Sequence, residues 1–214
     1  MKANLLMGLS ALACASIFSS CVSVSSLQTA RTTEKGEIGW GVSASAVSFD
    51  DQGVLDTLGS DQDVYLPLSE VSVRYGVTDK LDVGLKLGVI GLTTLDAKYM
   101  LVGDHESPFA LSAGASFGFV TVSSGDLRTG IYDIAVPVYA SYHPAEWLAV
   151  YATPRYNLRL FQGTETVPVS FLGTSAGVRI GKRFGVVAEY SYMANLSGGA
   201  AHQQYSAGIV LGIN

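Results

Sequence analysis

This 214-residue chain has few cysteines, few charged residues and no long apolar run after its N-terminus, and each of these features excludes a class of structure. Its only cysteines are Cys14 and Cys21, so disulfides and cysteine metal sites are excluded from everything that follows them. Charged residues make up 14% of the chain, against about 25% in an ordinary soluble domain. Beyond the N-terminus there is no apolar run of 18 or more residues, the minimum for a transmembrane helix, which excludes helical membrane spans.

The chain is nevertheless 48% hydrophobic, with 24 Gly, 11 Tyr and 8 Phe. From residue 36 onward it repeats one pattern, in which apolar and small or polar residues alternate for about 8–14 residues before a turn. The pattern predicts ten strands, near 36–49, 68–77, 81–91, 94–103, 109–122, 130–142, 147–160, 169–181, 184–193 and 203–214. We therefore expect residues 35–214 to form an all-β fold, a single ten-stranded antiparallel up-and-down transmembrane β-barrel closed by pairing the last strand with the first.

All charged residues of the predicted strands share one face, because side chains two positions apart point the same way. The acids of this set are Glu37, Glu70, Asp82, Asp96, Asp133 and Glu189, and the bases are Lys86, Lys98, Arg74, Arg155, Arg159 and Arg179. The set is balanced in charge, and the rest of its face is mostly Gly, Ser and Ala. We predict that it forms a charge network inside the lumen.

A soluble lipocalin-like ligand carrier would show the same alternation with the apolar face inside. The aromatic residues of the apolar face favour the membrane alternative, because they concentrate toward the strand ends as interfacial girdles do. One group comprises Trp40, Tyr75, Phe109, Tyr142 and Phe184, and the other comprises Phe117, Phe119, Tyr132, Tyr190, Tyr192 and Tyr205.

The N-terminus has the features of an export signal: Lys2, an apolar stretch from Leu5 to Phe18, and small residues before Cys21. This pattern resembles a lipoprotein signal. It predicts a signal peptide over 1–20, lipidation of Cys21 and a flexible periplasmic tether over 21–34. Cleavage after Ala15, which would leave Cys21 as a free thiol, is the alternative.

Short and long connections alternate along the chain, with the short link at 91–93 as an exception. The tight turns are 78–80, 103–108, 143–146 and 181–183, and the longer polar loops are 50–67, 123–129, 161–168 and 194–202. Outer-membrane barrels have short periplasmic turns and longer external loops. The alternation predicts a Gram-negative outer-membrane protein whose N- and C-termini both lie in the periplasm.

The stretch from Val73 to Gly84 is a strand–turn–strand with a Thr-Asp turn, and residues 143–148 and 181–185 are equivalent turns. Here the chain resembles the small bacterial outer-membrane β-barrel proteins, a group that includes the OmpA-like and OmpX-like barrels and the ten-stranded omptins. It departs from that group at Asn214, where such barrels often end in Phe. The resemblance implies an architecture and no particular activity.

Two roles remain open for the lumen. A network of paired charges would close it and leave a structural or surface-interaction role at the cell surface, whereas charges that line water would make a narrow, porin-like solute pore.

A rim-located enzyme is a third hypothesis. His202 with Asp50, Asp51 and Asp126 would serve an omptin-like protease, and His202 with Ser206 would serve a lipid A deacylase. The local motifs of these families are missing, so we expect no enzymatic activity, no catalytic residue, no cofactor and no metal centre.

The predicted external loops are acidic, with Asp50, Asp51, Asp56, Asp61 and Asp63 in the first of them. Divalent cations are therefore candidate ligands there, since hard cations prefer oxygen. The other expected partners are outer-membrane lipid and lipopolysaccharide. We expect no nucleic-acid binding and a monomeric protein.

Overall fold

The structure, a computed structural model, describes residues 23–49, 64–89, 91–124, 127–162, 166–198 and 201–213. It confirms the predicted all-β fold with ten strands: β1 Ile38–Phe49, β2 Val64–Thr78, β3 Leu81–Gly88, β4 Thr93–Val102, β5 Phe109–Ser124, β6 Leu127–Ala145, β7 Leu148–Gln162, β8 Thr166–Ile180, β9 Phe184–Asn195 and β10 His202–Leu211. Among these residues no helix is long and apolar enough to cross a membrane.

The strands form one closed antiparallel barrel in which each strand pairs with its neighbours along the chain. Closure comes from β1 and β10, which pair from Trp40 opposite Leu211 to Phe49 opposite His202. This register keeps the apolar side chains of all strands on the outer face of the barrel. A slip of one strand by one residue would turn its apolar face inward, so the register is strongly specified.

Several strands extend further toward the long loops than the sequence predicts. β5 and β6 leave only residues 125–126 between them, and β7 and β8 leave only 163–165. At this end, which we call the loop end, the long connections that remain are 50–63 and 196–201. The difference in connection length between the two ends is thus smaller than expected. Which end faces the periplasm stays a prediction.

The opposite end, which we call the turn end, has connections built by local hydrogen bonds. In the turn between β4 and β5, the Oδ1 atom of Asp104 accepts from the backbone N–H of Glu106 and from the N–H and hydroxyl of Ser107. These bonds, the Ser107 hydroxyl first, lower the pKa of Asp104 below its ordinary value. The ionised carboxylate is therefore the form that organises this turn.

The structure differs from the predicted flexible tether. Residues 23–33, which we call the lumen segment, run through the inside of the barrel, and most of their side chains are buried. Gly36, at φ +79°, then turns the chain out of the lumen and into β1. Serine and threonine lack the apolar periodicity of a wall strand, but their hydroxyls suit a polar interior. The sequence pattern fits either environment.

A close backbone approach marks the point where the chain leaves the lumen. The N–H of Gly36 donates to the carbonyl oxygen of Gly76 over 2.8 Å. A Cβ atom at Gly76 would lie 2.0 Å from the Glu34 carbonyl oxygen. Only glycine leaves room there for the incoming backbone.

The alternation of the last predicted strand, 203–214, places Ile213 on the lipid-facing side with Ile209 and Leu211, and the structure shows that this placement is wrong. β10 ends at Leu211, and Gly212 has φ +65°, a left-handed conformation that breaks the alternation of the strand. Ile213 consequently turns inward and is 3% exposed, in a cluster with Leu27, Tyr151, Val187 and Val210. The end of the chain therefore helps to fill the barrel near its turn end.

Candidate functional site: the barrel lumen

The central feature of the lumen is a cluster of two bases and two acids. Arg74 Nη2 lies 2.7 Å from Asp82 Oδ1 and 2.6 Å from Asp96 Oδ1, and Lys98 Nζ lies 3.6 Å from Asp82 Oδ2. β2, β3 and β4 are neighbours, so their inward faces place these side chains together. The four charges cancel, which is the condition under which ions are tolerated away from water.

Lys98 also binds the lumen segment. Its ammonium group donates to the carbonyl oxygens of Thr29 and Arg31 at 3.1 and 2.7 Å, and to Gln28 Oε1 at 3.1 Å. The Lys98 side chain is completely buried. A lysine that donates to two backbone carbonyls fixes the path of the segment as well as the charge balance.

Glu189 binds the other part of the segment. The backbone N–H groups of Ser26 and Leu27 donate to its two carboxylate oxygens, each over 2.8 Å, and Tyr151 Oη donates over 2.9 Å. Among the residues that the structure describes, Leu27 is the non-glycine residue with a positive φ, at 51°, a conformation that ordinary side chains adopt only at a cost. The carboxylate accepts both N–H groups of this kink and so holds it in place.

A third group, which contains an ion pair, lies beside the start of the segment. Lys86 Nζ is 4.0 Å from Glu70 Oε2 and donates to the Ser25 carbonyl oxygen over 2.7 Å. The Ser23 and Ser25 hydroxyls donate to the same Glu70 oxygen. Bases thus hold carbonyls of the segment, while acids hold its N–H and hydroxyl groups.

A fourth group lies nearer the loop end. Arg159 Nε is 2.9 Å from Asp133 Oδ2, and the Asn157 amide donates to the other Asp133 oxygen over 2.7 Å. The Arg159 guanidinium lies 5.0 Å from the centroid of the Phe171 ring. Phe171 also packs against Val24, so this group lies beside the first described residues of the segment.

The remaining predicted lumen charges have other surroundings. Arg155 donates to the Ser175 hydroxyl over 2.5 Å. Arg179 donates to the carbonyl oxygens of Gly181 and Lys182 at the turn end. The structure differs from the prediction at Glu37. This residue precedes β1, so it lies at the turn-end rim, where its carboxylate pairs with Arg183 at 2.9 Å.

Sequence reasoning missed the side chains that recognise the segment without carrying charge. Gln204 Oε1 accepts from the Val24 N–H over 2.9 Å, and the Ser141 hydroxyl accepts from the Ala30 N–H over 3.1 Å. The Ser112 hydroxyl donates to the Ala30 carbonyl oxygen. The predicted number of strands could have indicated such contacts. The side chains of eight strands already fill a barrel, so ten strands leave space for an additional segment inside.

The outer wall of the barrel is apolar, whereas the lumen is polar and charged. Residues such as Val71, Val136 and Val186 point outward and are 47–54% exposed, whereas Lys98 and Asp82 on the opposite face are 0% exposed. Water would not stabilise such an apolar belt around a charged interior, but hydrocarbon does. The chain is a small β-barrel of the outer-membrane type. The lipocalin-like alternative, which needs the apolar face inside, is excluded.

Most aromatic residues of the outer wall lie toward the strand ends as predicted, and Tyr156, opposite Val136 and Leu172, is an exception within the belt. Phe109 lies opposite Tyr142 and Ile38 opposite Tyr75 near the turn end, while Phe119 lies opposite Tyr132 and Tyr205 opposite Tyr190 toward the loop end. The Tyr190 and Tyr205 rings are 5.0 Å apart, centroid to centroid. Aliphatic residues fill the belt between them, as a bilayer with two polar interfaces requires.

We compared the chain with known proteins and solved structures. No protein-family model and no curated protein matches the chain. The barrel is similar to the attachment invasion locus protein Ail of Yersinia pestis, with 10% identity, a TM-score of 0.42, and 83% of this chain and 98% of that chain covered.

It is also similar to Neisserial surface protein A, with 11% identity, a TM-score of 0.40 and coverage of 82% and 97%. A third similar structure is the N-terminal β-barrel domain of Pseudomonas aeruginosa OprF, with 17% identity, a TM-score of 0.29 and coverage of 80% and 97%. Values this low carry no functional argument, so the assignment depends on the barrel's own inside-out geometry.

The lipid-facing assignment predicts a cost for charge on the outer wall. Leu85 lies between Val73 and Leu95 in the belt. We expect Leu85→Arg to lower the free energy of unfolding by about 2–4 kcal/mol, and the volume-matched Leu85→Met to lower it by less than about 1.5 kcal/mol. Urea titration of the barrel in lipid vesicles measures both, and equal tolerance of the two substitutions would contradict the assignment.

The residues of the rim-enzyme hypothesis do not form the expected external site in the described part of the chain. His202 is 6% exposed, points into the lumen, and its ring lies 5.1 Å from the Phe171 ring, centroid to centroid. Ser206 also faces inward, where the Ser45 hydroxyl donates to it over 2.8 Å. Asp50, Asp51 and Asp126 lie outside the described residues.

The acidic loop residues Asp56, Asp61 and Asp63, with Cys21, also lie outside the described residues, so divalent-cation binding and lipidation stay predictions. Within the described ranges, no group of three or more His, Cys, Asp or Glu side chains has the geometry to hold a metal ion.

Proposed function

We propose that this outer-membrane barrel is a closed, non-enzymatic protein with a structural or surface-interaction role, and that its own N-terminal segment closes the lumen. The observation that carries the proposal is the set of hydrogen bonds by which Lys98, Glu189 and Gln204 hold the backbone of the lumen segment. The side chains of the wall fill the interior of an eight-stranded barrel, but a ten-stranded one has a wider interior.

The dimensions of the segment support a plug. Residues 23–33 in an extended conformation span at most about 35 Å, and the apolar band of an outer-membrane barrel is about 25 Å tall. Even with the kink at Leu27, the segment is long enough to occupy most of the lumen. Solutes would have to displace it in order to pass.

A narrow pore is the competing function, and planar-bilayer recording of the intact chain separates the two. We expect no discrete conductance steps from the refolded barrel, with its folding verified on the same sample by heat-modifiable migration. Steps from a correctly folded intact chain would favour the pore and contradict the plug.

The enzyme alternatives are tested through His202. Its inward position and its contact with Phe171 support a packing role. We therefore expect neither proteolysis of peptides nor deacylation of lipid A by the refolded barrel. Turnover that is present in the intact chain and lost in His202→Ala would overturn the non-enzymatic proposal.

A further inference from the structure

The mouth of the barrel at the turn end contains a polar cavity of about 300 Å³. The bases that line it are Arg31, Arg179, Lys182 and Arg183. Two of them are already neutralised at the rim, because Lys182 pairs with Glu146 and Arg183 pairs with Glu37. The positive charge that remains in the cavity is therefore on Arg31 and Arg179.

Neither Arg31 nor Arg179 forms an ion pair with another residue of the described ranges. Arg31 Nη2 donates to the Ser107 carbonyl oxygen over 2.8 Å, and Arg179 donates to the carbonyl oxygens of Gly181 and Lys182. The Nε–H group of each arginine is buried and has no hydrogen-bond partner in the described part of the chain. Arg179 is 5% exposed, and a buried donor without an acceptor is costly.

The two arginines come from different parts of the molecule. Arg31 belongs to the lumen segment, whereas Arg179 is the next-to-last residue of β8. They are close enough for their charges to repel each other, and both charges act on the buried ring of His143. An anion in the cavity would replace this repulsion by attraction and would connect the segment to the wall.

We propose that the cavity binds a phosphate group, held between Arg31 of the segment and Arg179 of the wall. Guanidinium groups donate directed, charge-assisted hydrogen bonds to phosphate oxygens, and a phosphate monoester carries close to two negative charges at neutral pH. The volume suits a small ligand, since binding pockets begin at roughly 300 Å³. The site requires the segment to lie in the lumen, but it does not depend on whether the barrel conducts.

Isothermal titration calorimetry of the refolded full chain with inorganic phosphate tests the site, with potassium chloride of equal ionic strength as the blank. In nanodiscs of phosphatidylcholine we expect saturable binding of one phosphate per barrel. A second set of nanodiscs contains phosphatidic acid, whose headgroup carries a terminal phosphate. Competition from this lipid would identify a headgroup as the natural source of the phosphate group, whereas unchanged binding would identify a soluble phosphate.

Substitutions locate the site. Arg31→Gln and Arg179→Gln should each weaken phosphate binding by about tenfold or more, because each removes charge-assisted hydrogen bonds. Glu34→Gln removes an acid that also lines the cavity, so it should strengthen binding. Lys80→Gln removes an exposed base of the turn end outside the cavity, and it should change the affinity by less than about twofold because exposed charges are screened.

Heat-modifiable migration verifies the folding of each variant. Arg31 lies in the segment rather than in the wall, so Arg31→Gln tests the site even if Arg179→Gln does not fold. The proposal would be overturned by a folded intact chain that binds no phosphate, or by a folded variant of either arginine that binds it as tightly as the intact chain. An equal loss of affinity in Lys80→Gln would also contradict it, as would weaker binding by Glu34→Gln.

Discussion

Deleting residues 23–33 is expected to change a barrel that passes no current into one that shows discrete conductance steps. The deletion removes the backbone that Lys98 and Glu189 bind, and it leaves a ten-stranded wall that its own side chains do not fill. The deletion frees Lys86 and Lys98 as well as Glu70 and Glu189, so we expect no strong preference for cations over anions. Planar-bilayer recording with reversal potentials in a salt gradient measures both effects.

A substitution in the full chain tests the same prediction without a deletion. Leu27→Pro removes the N–H that donates to Glu189 and forces φ near −65°, whereas Leu27 has φ 51°. We expect this variant to conduct intermittently. Leu27→Gly keeps both the N–H and the backbone conformation, so it should stay closed.

Folding controls decide how these results are interpreted. Each variant must show heat-modifiable migration before it is recorded. A folded deletion variant that remains silent would contradict the plug and assign closure to the wall, namely to groups such as Arg159, Asp133 and Phe171. Equal conductance of Leu27→Pro and Leu27→Gly would contradict the role of the kink.

The largest expected effect on stability is at Lys98. Lys98→Met leaves Arg74 with both Asp82 and Asp96, so the buried cluster gains a net negative charge. It also leaves the carbonyl oxygens of Thr29 and Arg31 without their ammonium donor. Removing one partner of a buried ion pair costs about 3–5 kcal/mol, and we expect a loss of this size in the free energy of unfolding.

Urea titration in lipid vesicles measures that loss, with the neighbouring residue as a matched control. Tyr99 is 50% exposed on the outer wall, so Tyr99→Phe should change stability by no more than about 0.5 kcal/mol. Comparable effects at residues 98 and 99 would mean that the buried cluster contributes little.

The wall of this protein could be predicted from the sequence because its periodicity is physical. Apolar side chains such as Phe184, Val186 and Ala188 recur at every second position of β9, and only one face of the strand can contact hydrocarbon. The positions of Arg74, Asp82 and Lys98 on the inner face follow from the same rule. Strand ends near the loops were less predictable, because β6 and β7 continue through polar residues such as Gln162.

The lumen segment could not be predicted in this way. Its serines and threonines have no periodic pattern, and their partners lie far away in the sequence: Ser26 donates to Glu189, and Ala30 donates to Ser141. Such contacts depend on the three-dimensional width of the barrel, which no local pattern encodes. Ile213 was misplaced for a related reason, because the left-handed Gly212 ends the alternation one residue earlier.

A disulfide between the segment and the wall tests the central claim most directly. The Ser26 and Thr153 hydroxyl oxygens are 3.4 Å apart inside the barrel, whereas Ala152 belongs to the opposite face of β7. In the refolded chain with Cys21→Ala, mild oxidation should close a disulfide in Ser26→Cys/Thr153→Cys and none in Ser26→Cys/Ala152→Cys. Non-reducing electrophoresis and mass spectrometry detect the bond. Failure of the first pair to oxidise in a folded barrel, or equal oxidation of both pairs, would contradict a segment that lies within the lumen.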